Sequence, residues 1–111
     1  IGFGFGKTVA QSFALLARQR ELLALGYPLL AGWSRKSSLG AVTGLAVGER
    51  LLPSVAAAVL AAERGARVLR VHDVRATVQA LVVWQAMADA DADADADTNA
   101  NANAADKLEN P

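Results

Sequence analysis

Twice in this sequence a helical pattern ends in a glycine and passes at once into a short apolar run, at Gly26 before YPLLAG and at Gly65 before ARVLRVH. A glycine just past a helix supplies the left-handed cap that ends it. Short, nearly continuous apolar runs are what parallel strands covered on both faces look like. The order is a repeated α/β unit. Two parallel strands joined by right-handed crossovers keep unpaired edges and an uncovered face, so the pattern requires sheet partners beyond the two strands it contains.

The elements follow from the same reading. Thr8 is placed to cap a helix reaching about Leu25, with Val9, Phe13, Leu16, Leu22 and Leu23 on its apolar face. Pro28 blocks its resumption, and the first strand is expected from Tyr27 to about Gly32. Residues 38–52 mix Gly, Val and Leu without clean periodicity and are expected to form a loop. Pro53 suits the first turn of a second, Ala-rich helix, VAAAVLAAER. In the second strand, Ala66 to His72, alternation sends Val68, Arg70 and His72 to one face and Arg67, Leu69 and Val71 to the other. Asp73 is placed to cap a third helix, VRATVQALVVWQAM, whose Val74, Val78, Leu81 and Val82 form an apolar stripe expected to be buried.

The formal net charge of zero hides a division. Residues 1–88 carry ten Lys and Arg against four Asp and Glu, and residues 89–111 carry one against seven. The cations of the basic part are not interleaved with aromatics, which argues against nucleic acid and for a small anion such as a phosphate ester. There is no cysteine, hence no disulfide and no thiolate ligand. No apolar run approaches the ~18 residues of a membrane span. From Asp89 the chain becomes Asp-Ala repeats, then Asn-Ala repeats, then DKLENP. Low complexity with like charges predicts a solvated, disordered tail over 89–111, beside a packed part over 1–88. Alternating Asp without glycine turns does not make a calcium loop.

Chemistry is expected where the first apolar run stops in SRKS. Ligands of α/β proteins collect at the carboxyl ends of parallel strands, which is where Ser34, Arg35, Lys36 and Ser37 stand. Arg70 and His72, two apart on one face at the end of the second strand, are too costly for an ordinary core and point to a polar mouth. IGFGFGK, with three alternate glycines and a cation, allows a close backbone approach to a ligand or a sharp turn. It is not a P-loop, because Ile1 stands where that motif needs Gly, and it is not a dinucleotide fingerprint, because Lys7 stands where the third Gly belongs. Each candidate has a plainer alternative: a solvated Lys36, a solvated or structural Arg35, a structural His72, a core Phe5.

Three segments in this order, GFGFGK, SRKS after a strand, and RVHDV opening the last helix, resemble the carboxyl-terminal part of the dihydropteroate synthase family of the folate pathway. The resemblance runs from Gly2 to about Met87 and leaves out the tail. It implies a TIM (β/α)8 barrel of which this chain is about the last quarter, holding the seventh and eighth strands with the final three helices. The missing sheet partners would then be the amino-terminal part of the barrel. One departure stands out: the family has Asp-Pro before the first Gly, whereas Ile1 occupies the Pro position here, so the carboxylate that grips the pterin ring is expected to be lost.

The resemblance also implies roles. Lys36 hydrogen-bonds the pterin, Ser37 lies where the para-aminobenzoate carboxylate binds, and Gly4 and Phe5 line the same pocket. Arg70 stacks on the pterin face and, with His72, binds the departing pyrophosphate. The implied reaction joins 7,8-dihydropterin pyrophosphate to para-aminobenzoate, giving dihydropteroate and pyrophosphate, without a protein nucleophile. Mg2+ is expected on the pyrophosphate, with its protein ligand outside this chain. The resemblance further implies a cytoplasmic sulfonamide target that forms a homodimer through its carboxyl-terminal helices. Two other readings stand beside it: a non-catalytic fragment that buries its sheet edges by self-association or against another chain, and a pterin-binding relative with methyl-transfer chemistry.

Overall fold

The computed structural model describes residues 1–2 and 5–109, with side chains to residue 103. It divides into two compact units, Ile1–Leu81 and Val82–Pro111. In the first unit the order is α1 (Val9–Ala17), a 3-10 helix (Gln19–Leu25), β1 (Leu29–Ala31), α2 (Ser37–Thr43), a 3-10 turn (Val47–Glu49), α3 (Leu51–Glu63) and β2 (Ala66–Leu69), followed by the start of α4 (Val74–Glu109). Among the described residues no helix is long and apolar enough to cross a membrane.

Thr8 begins α1 with a reciprocal capping box: its hydroxyl accepts from the Gln11 N–H at 3.1 Å, and the Gln11 side chain accepts from the Thr8 N–H at 2.9 Å. The expected single helix to Leu25 is broken at Arg18 and tightens into a 3-10 turn. Gln19 causes the break to hold. It is fully buried, and its side-chain N–H group donates to the carbonyls of Ala61 and Arg64 at the end of α3. Gly26 and Gly65 close their helices at φ 81° and 97°, the left-handed region that the sequence demanded of them.

β1 and β2 pair in parallel, Leu30 with Val68 and Ala31 with Leu69. On the other side of β1, Gly2 bridges Gly32 in parallel, and the Gly32 N–H donates to the Ile1 carbonyl at 2.7 Å. The approach at that bridge is close: a Cβ at Gly2 would lie 2.2 Å from the Gly32 carbonyl oxygen. β1 is thus central, as its apolar run predicts.

One face of the sheet is covered by α1, α2 and α3. The core there is Leu16, Ala31, Trp33, Leu39, Ala57 and Ala61, with Phe13, Leu15, Ala66 and Leu69 against it. α3 presents a stripe of Ala57, Ala58, Ala61 and Ala62, all buried, and small side chains let a helix lie close on a sheet. The other face is left bare by the described residues. Leu30 is 44% exposed and Val68 50%.

Two expectations are corrected. Residues 38–52 are not a loop; they hold α2, the 3-10 turn and the start of α3. The stripe on α4 is not buried: Val74 and Val78 are 60% and 51% exposed, and Val82, in the second unit, is exposed as well. Among the described residues no element of the chain covers it. The Asp-Ala and Asn-Ala stretch continues α4 to Glu109. Alanine at alternate positions supplies the helix propensity, while every residue from 89 to 103 is exposed, so packing does not hold it.

Candidate functional site

The site is built where β1 and β2 end. Backbone pairing finishes with the Arg70 N–H donating to the Ala31 carbonyl at 2.9 Å. Beyond that point side chains continue the ladder. Ser34 Oγ lies 2.8 Å from His72 Nδ1, and Arg35 Nη2 reaches both carboxylate oxygens of Asp73 at 3.1 and 3.3 Å. Each of these links joins residues 38 apart. That is the offset of the last two strand pairs, Leu30 with Val68 and Ala31 with Leu69, so the two loops keep the register in which the strands end.

Trp33, 2% exposed, anchors the first loop in the core directly before Ser34. Arg35 takes φ 58°, a left-handed conformation that costs a non-glycine residue about 1 kcal/mol or more. Its surroundings hold it there. The Arg35 N–H donates to Ser54 Oγ at 2.8 Å, and its carbonyl accepts from Arg50 Nη1 at 3.1 Å. Arg50 also donates from Nε to the Leu45 carbonyl at 3.0 Å, so one guanidinium ties the end of α2 to the SRKS loop.

Gly32, Ser34, Lys36, Arg70, Val71 and His72 line a common cavity of about 340 Å³. Its lining includes an ammonium, a guanidinium and an imidazole and no carboxylate. Arg70 crosses Gly32 so closely that a methyl there would stand 2.8 Å from Nη2 and 3.1 Å from Nε. The absence of a side chain at residue 32 gives the guanidinium its place. Such an arrangement suits an anion: a planar fork beside a point charge and a third polar group, over a buried floor.

The structure therefore brings together Lys36, Arg70 and His72 from the sequence-derived candidates. Ser37 opens α2 beside Lys36 and is exposed, outside the lining. Phe5 is fully exposed in a turn and does not line the cavity. Gly4 lies outside the described residues. Arg35, for which the sequence leaves a solvated or a structural place, is the clasp of the loop. Sequence reasoning missed Arg50 and Ser54. For Arg50 no local signal exists. For Ser54 there is one: a hydroxyl in line with Ala57, Ala58 and Ala61 on a buried helix face has to find a partner.

Among the described residues no three His, Asp or Glu side chains converge as a metal site would require. Asp73, next to His72, is engaged by Arg35. These residues do not form a cage for Mg2+.

A family model described as pterin binding enzyme matches residues 1–72. The dihydropteroate synthase of Haemophilus influenzae is 51% identical over 89 residues, which are 80% of this chain and 32% of that protein. The crystal structure of dihydropteroate synthase from Stenotrophomonas maltophilia with active site-bound imidazole superposes with a TM-score of 0.76 at 58% identity, covering 78% of this chain and 33% of that one. The enzyme from Xanthomonas albilineans in complex with 7,8-dihydropteroate superposes with a TM-score of 0.73 at 54% identity, covering 78% and 34%. This chain spans about a third of the length of the relatives it matches.

Proposed function

The chain belongs to the pterin-binding enzyme family, and from that footing we propose that it is the carboxyl-terminal part of a dihydropteroate synthase, contributing the anion-binding half of the active site. Its fold is a piece of that family's (β/α)8 barrel. Two strands of eight make a quarter by count and, with their helices, about a third by length. We take residues 1–88 as the barrel part and 89–111 as an appendage without a role in the site. A cytoplasmic setting and a homodimer belong to the same reading.

The observation that carries it is the cavity where SRKS and RVH meet, lined by Lys36, Arg70 and His72. In the proposed reaction the carbon–oxygen bond of the pterin carbinol ester breaks, and its electron pair leaves with pyrophosphate. The amine of para-aminobenzoate forms the new carbon–nitrogen bond and gives up a proton to water. Ionisation of the carbon–oxygen bond leads, so the charge to be stabilised grows on the bridging oxygen. Preorganised donors at that oxygen lower the barrier because they need not reorganise as the charge appears.

Arg70 fits both ends of this task. Its planar guanidinium stacks on a ring and donates two parallel bonds to phosphate. His72 adds a donor from the same loop, and Lys36 holds the pterin. Ser37, at the opening beside Lys36, receives the para-aminobenzoate carboxylate, with Gly4 and Phe5 completing that side. The Mg2+ of the reaction is assigned to the pyrophosphate, with its protein ligand outside this chain, and none of these steps uses it.

The test is a completed barrel, in which residues 1–88 replace the matching segment of the Haemophilus influenzae relative. It is expected to form dihydropteroate from 7,8-dihydropterin pyrophosphate and para-aminobenzoate, with sulfonamide competing for the second substrate. Arg70→Ala is expected to lower kcat/KM by about one to two orders of magnitude, the worth of one hydrogen bond to a charged group. Unchanged kinetics in that variant would remove Arg70 from the site. The fragment reading has one observation in its favour, the bare sheet face at Leu30 and Val68. It predicts a completed barrel that folds and does not turn over.

A further inference from the structure

The hydroxyl of Ser34 has no place in the reaction above, yet it is 5% exposed and sits against the imidazole of His72. Two contacts fix its hydrogen. The His72 backbone N–H donates to Oγ at 3.4 Å, and Oγ lies 2.8 Å from Nδ1. A hydroxyl owns one hydrogen and accepts through its lone pairs. If the ring donated from Nδ1, the buried Ser34 hydrogen would have no acceptor in reach among the described residues. If Ser34 donates to Nδ1, its hydrogen has an acceptor and its oxygen still accepts from the His72 backbone N–H. The ring proton is then on Nε2.

We propose that Ser34 is a positioning residue: it holds Nδ1 of His72 as an acceptor, and so keeps Nε2–H as the donor that the site offers to an anionic oxygen. Trp33 in the core and the Arg35–Asp73 pair on the next rung hold Ser34 and His72 at this spacing. The chain has one histidine, so one imidazole reports the arrangement. The functional consequence rests on the reading of His72 as a pyrophosphate ligand; the hydrogen bond itself does not.

The experiment is 15N NMR of the histidine-labelled 111-residue chain at about pH 9, where an imidazole of ordinary pKa is neutral. The wild type is expected to show Nδ1 as a bare, accepting nitrogen and Nε2 as protonated, with an NOE from the imidazole Hε1 to the Ser34 Hβ protons. Ser34→Ala is expected to shift both nitrogens towards the mixed values of an unrestrained imidazole and to lose directional ordering of the ring. Ser34→Thr keeps a hydroxyl and is expected to restore the wild-type pattern. A wild-type spectrum with the proton on Nδ1, or one already like a free imidazole, overturns the assignment even if Ser34→Ala does not fold.

In the completed barrel Ser34→Ala is expected to raise the KM for the pterin pyrophosphate several-fold, with Ser34→Thr in between. No turnover by the wild-type barrel alongside the expected NMR pattern would overturn the functional reading and leave the positioning intact. Full turnover alongside an unrestrained imidazole would do the reverse.

Discussion

Arg70 lies where a side chain at residue 32 would otherwise be. The guanidinium crosses a glycine at the end of β1, and its Nη2 would stand 2.8 Å from a methyl placed there. Because the clashing group is the far end of a flexible side chain, the fold can absorb Gly32→Ala by moving Arg70 aside. Stability is therefore expected to change little. Affinity for an anion in the cavity is expected to fall about tenfold, since that factor is about 1.4 kcal/mol, close to the low end of what one hydrogen bond to a charged group contributes. Titration of the completed barrel with pyrophosphate, read beside a urea melt, checks both halves; a variant that binds as the wild type does would show that Arg70 is not held by Gly32.

The SRKS loop is held from α3 as much as from its own strand. Ser54 Oγ accepts from the Arg35 N–H, the residue at φ 58°. Ser54→Ala removes that acceptor and leaves a part-buried donor beside a strained backbone. A loss of about 1 kcal/mol in the stability of the chain is expected from urea unfolding, and an unshifted midpoint would mean that Arg50 and Asp73 alone hold the loop. The acidic stretch of α4 answers to a different force. Asp89 and Asp93, Asp91 and Asp95, and Asp93 and Asp97 stand four apart on a helix, and like charges at that spacing each cost about 0.2–0.5 kcal/mol. Salt from about 0.01 M to 1 M shortens the screening length from about 30 Å to 3 Å. Ellipticity at 222 nm is expected to rise over that range, and a flat response would mean the carboxylates do not limit the helix.

What the sequence made legible, and what it hid, divides along the same line between local and tertiary causes. Gly26 and Gly65 were readable because positive φ is a demand on one residue, and SRKS and RVH were readable as abrupt polar endings of apolar runs. α2 was not. SSLGAVT contains a glycine and two β-branched residues, poor helix formers all, and it is helical because Leu39 is buried in the core and Arg50 packs on Gly40. The break after α1 is also tertiary, set by Gln19 reaching α3. The apolar stripe of α4 was read correctly as a stripe and wrongly as buried, since a moment on one helix does not say that a partner is present.

For the first unit as a whole, an uncovered sheet face has a direct consequence in solution. Leu30, Val68, Val74 and Val78 are each between 44% and 60% exposed, and apolar surface of this kind is removed from water by whatever association is available. The 111-residue chain alone is expected to sediment as a dimer or larger species at tens of micromolar, and to return towards one-to-one complexes when the amino-terminal two thirds of the Haemophilus influenzae relative is added. A monodisperse monomer that ignores the added segment would show that these residues do not form an association surface. The links between Ser34 and His72 and between Arg35 and Asp73 set a further condition on the whole barrel. Both span 38 residues, as the last two strand pairs do, so the site is kept by counting. One residue inserted in either loop unpairs both links together, and only a matching insertion in the other loop, three residues past the same strand end, brings the count back.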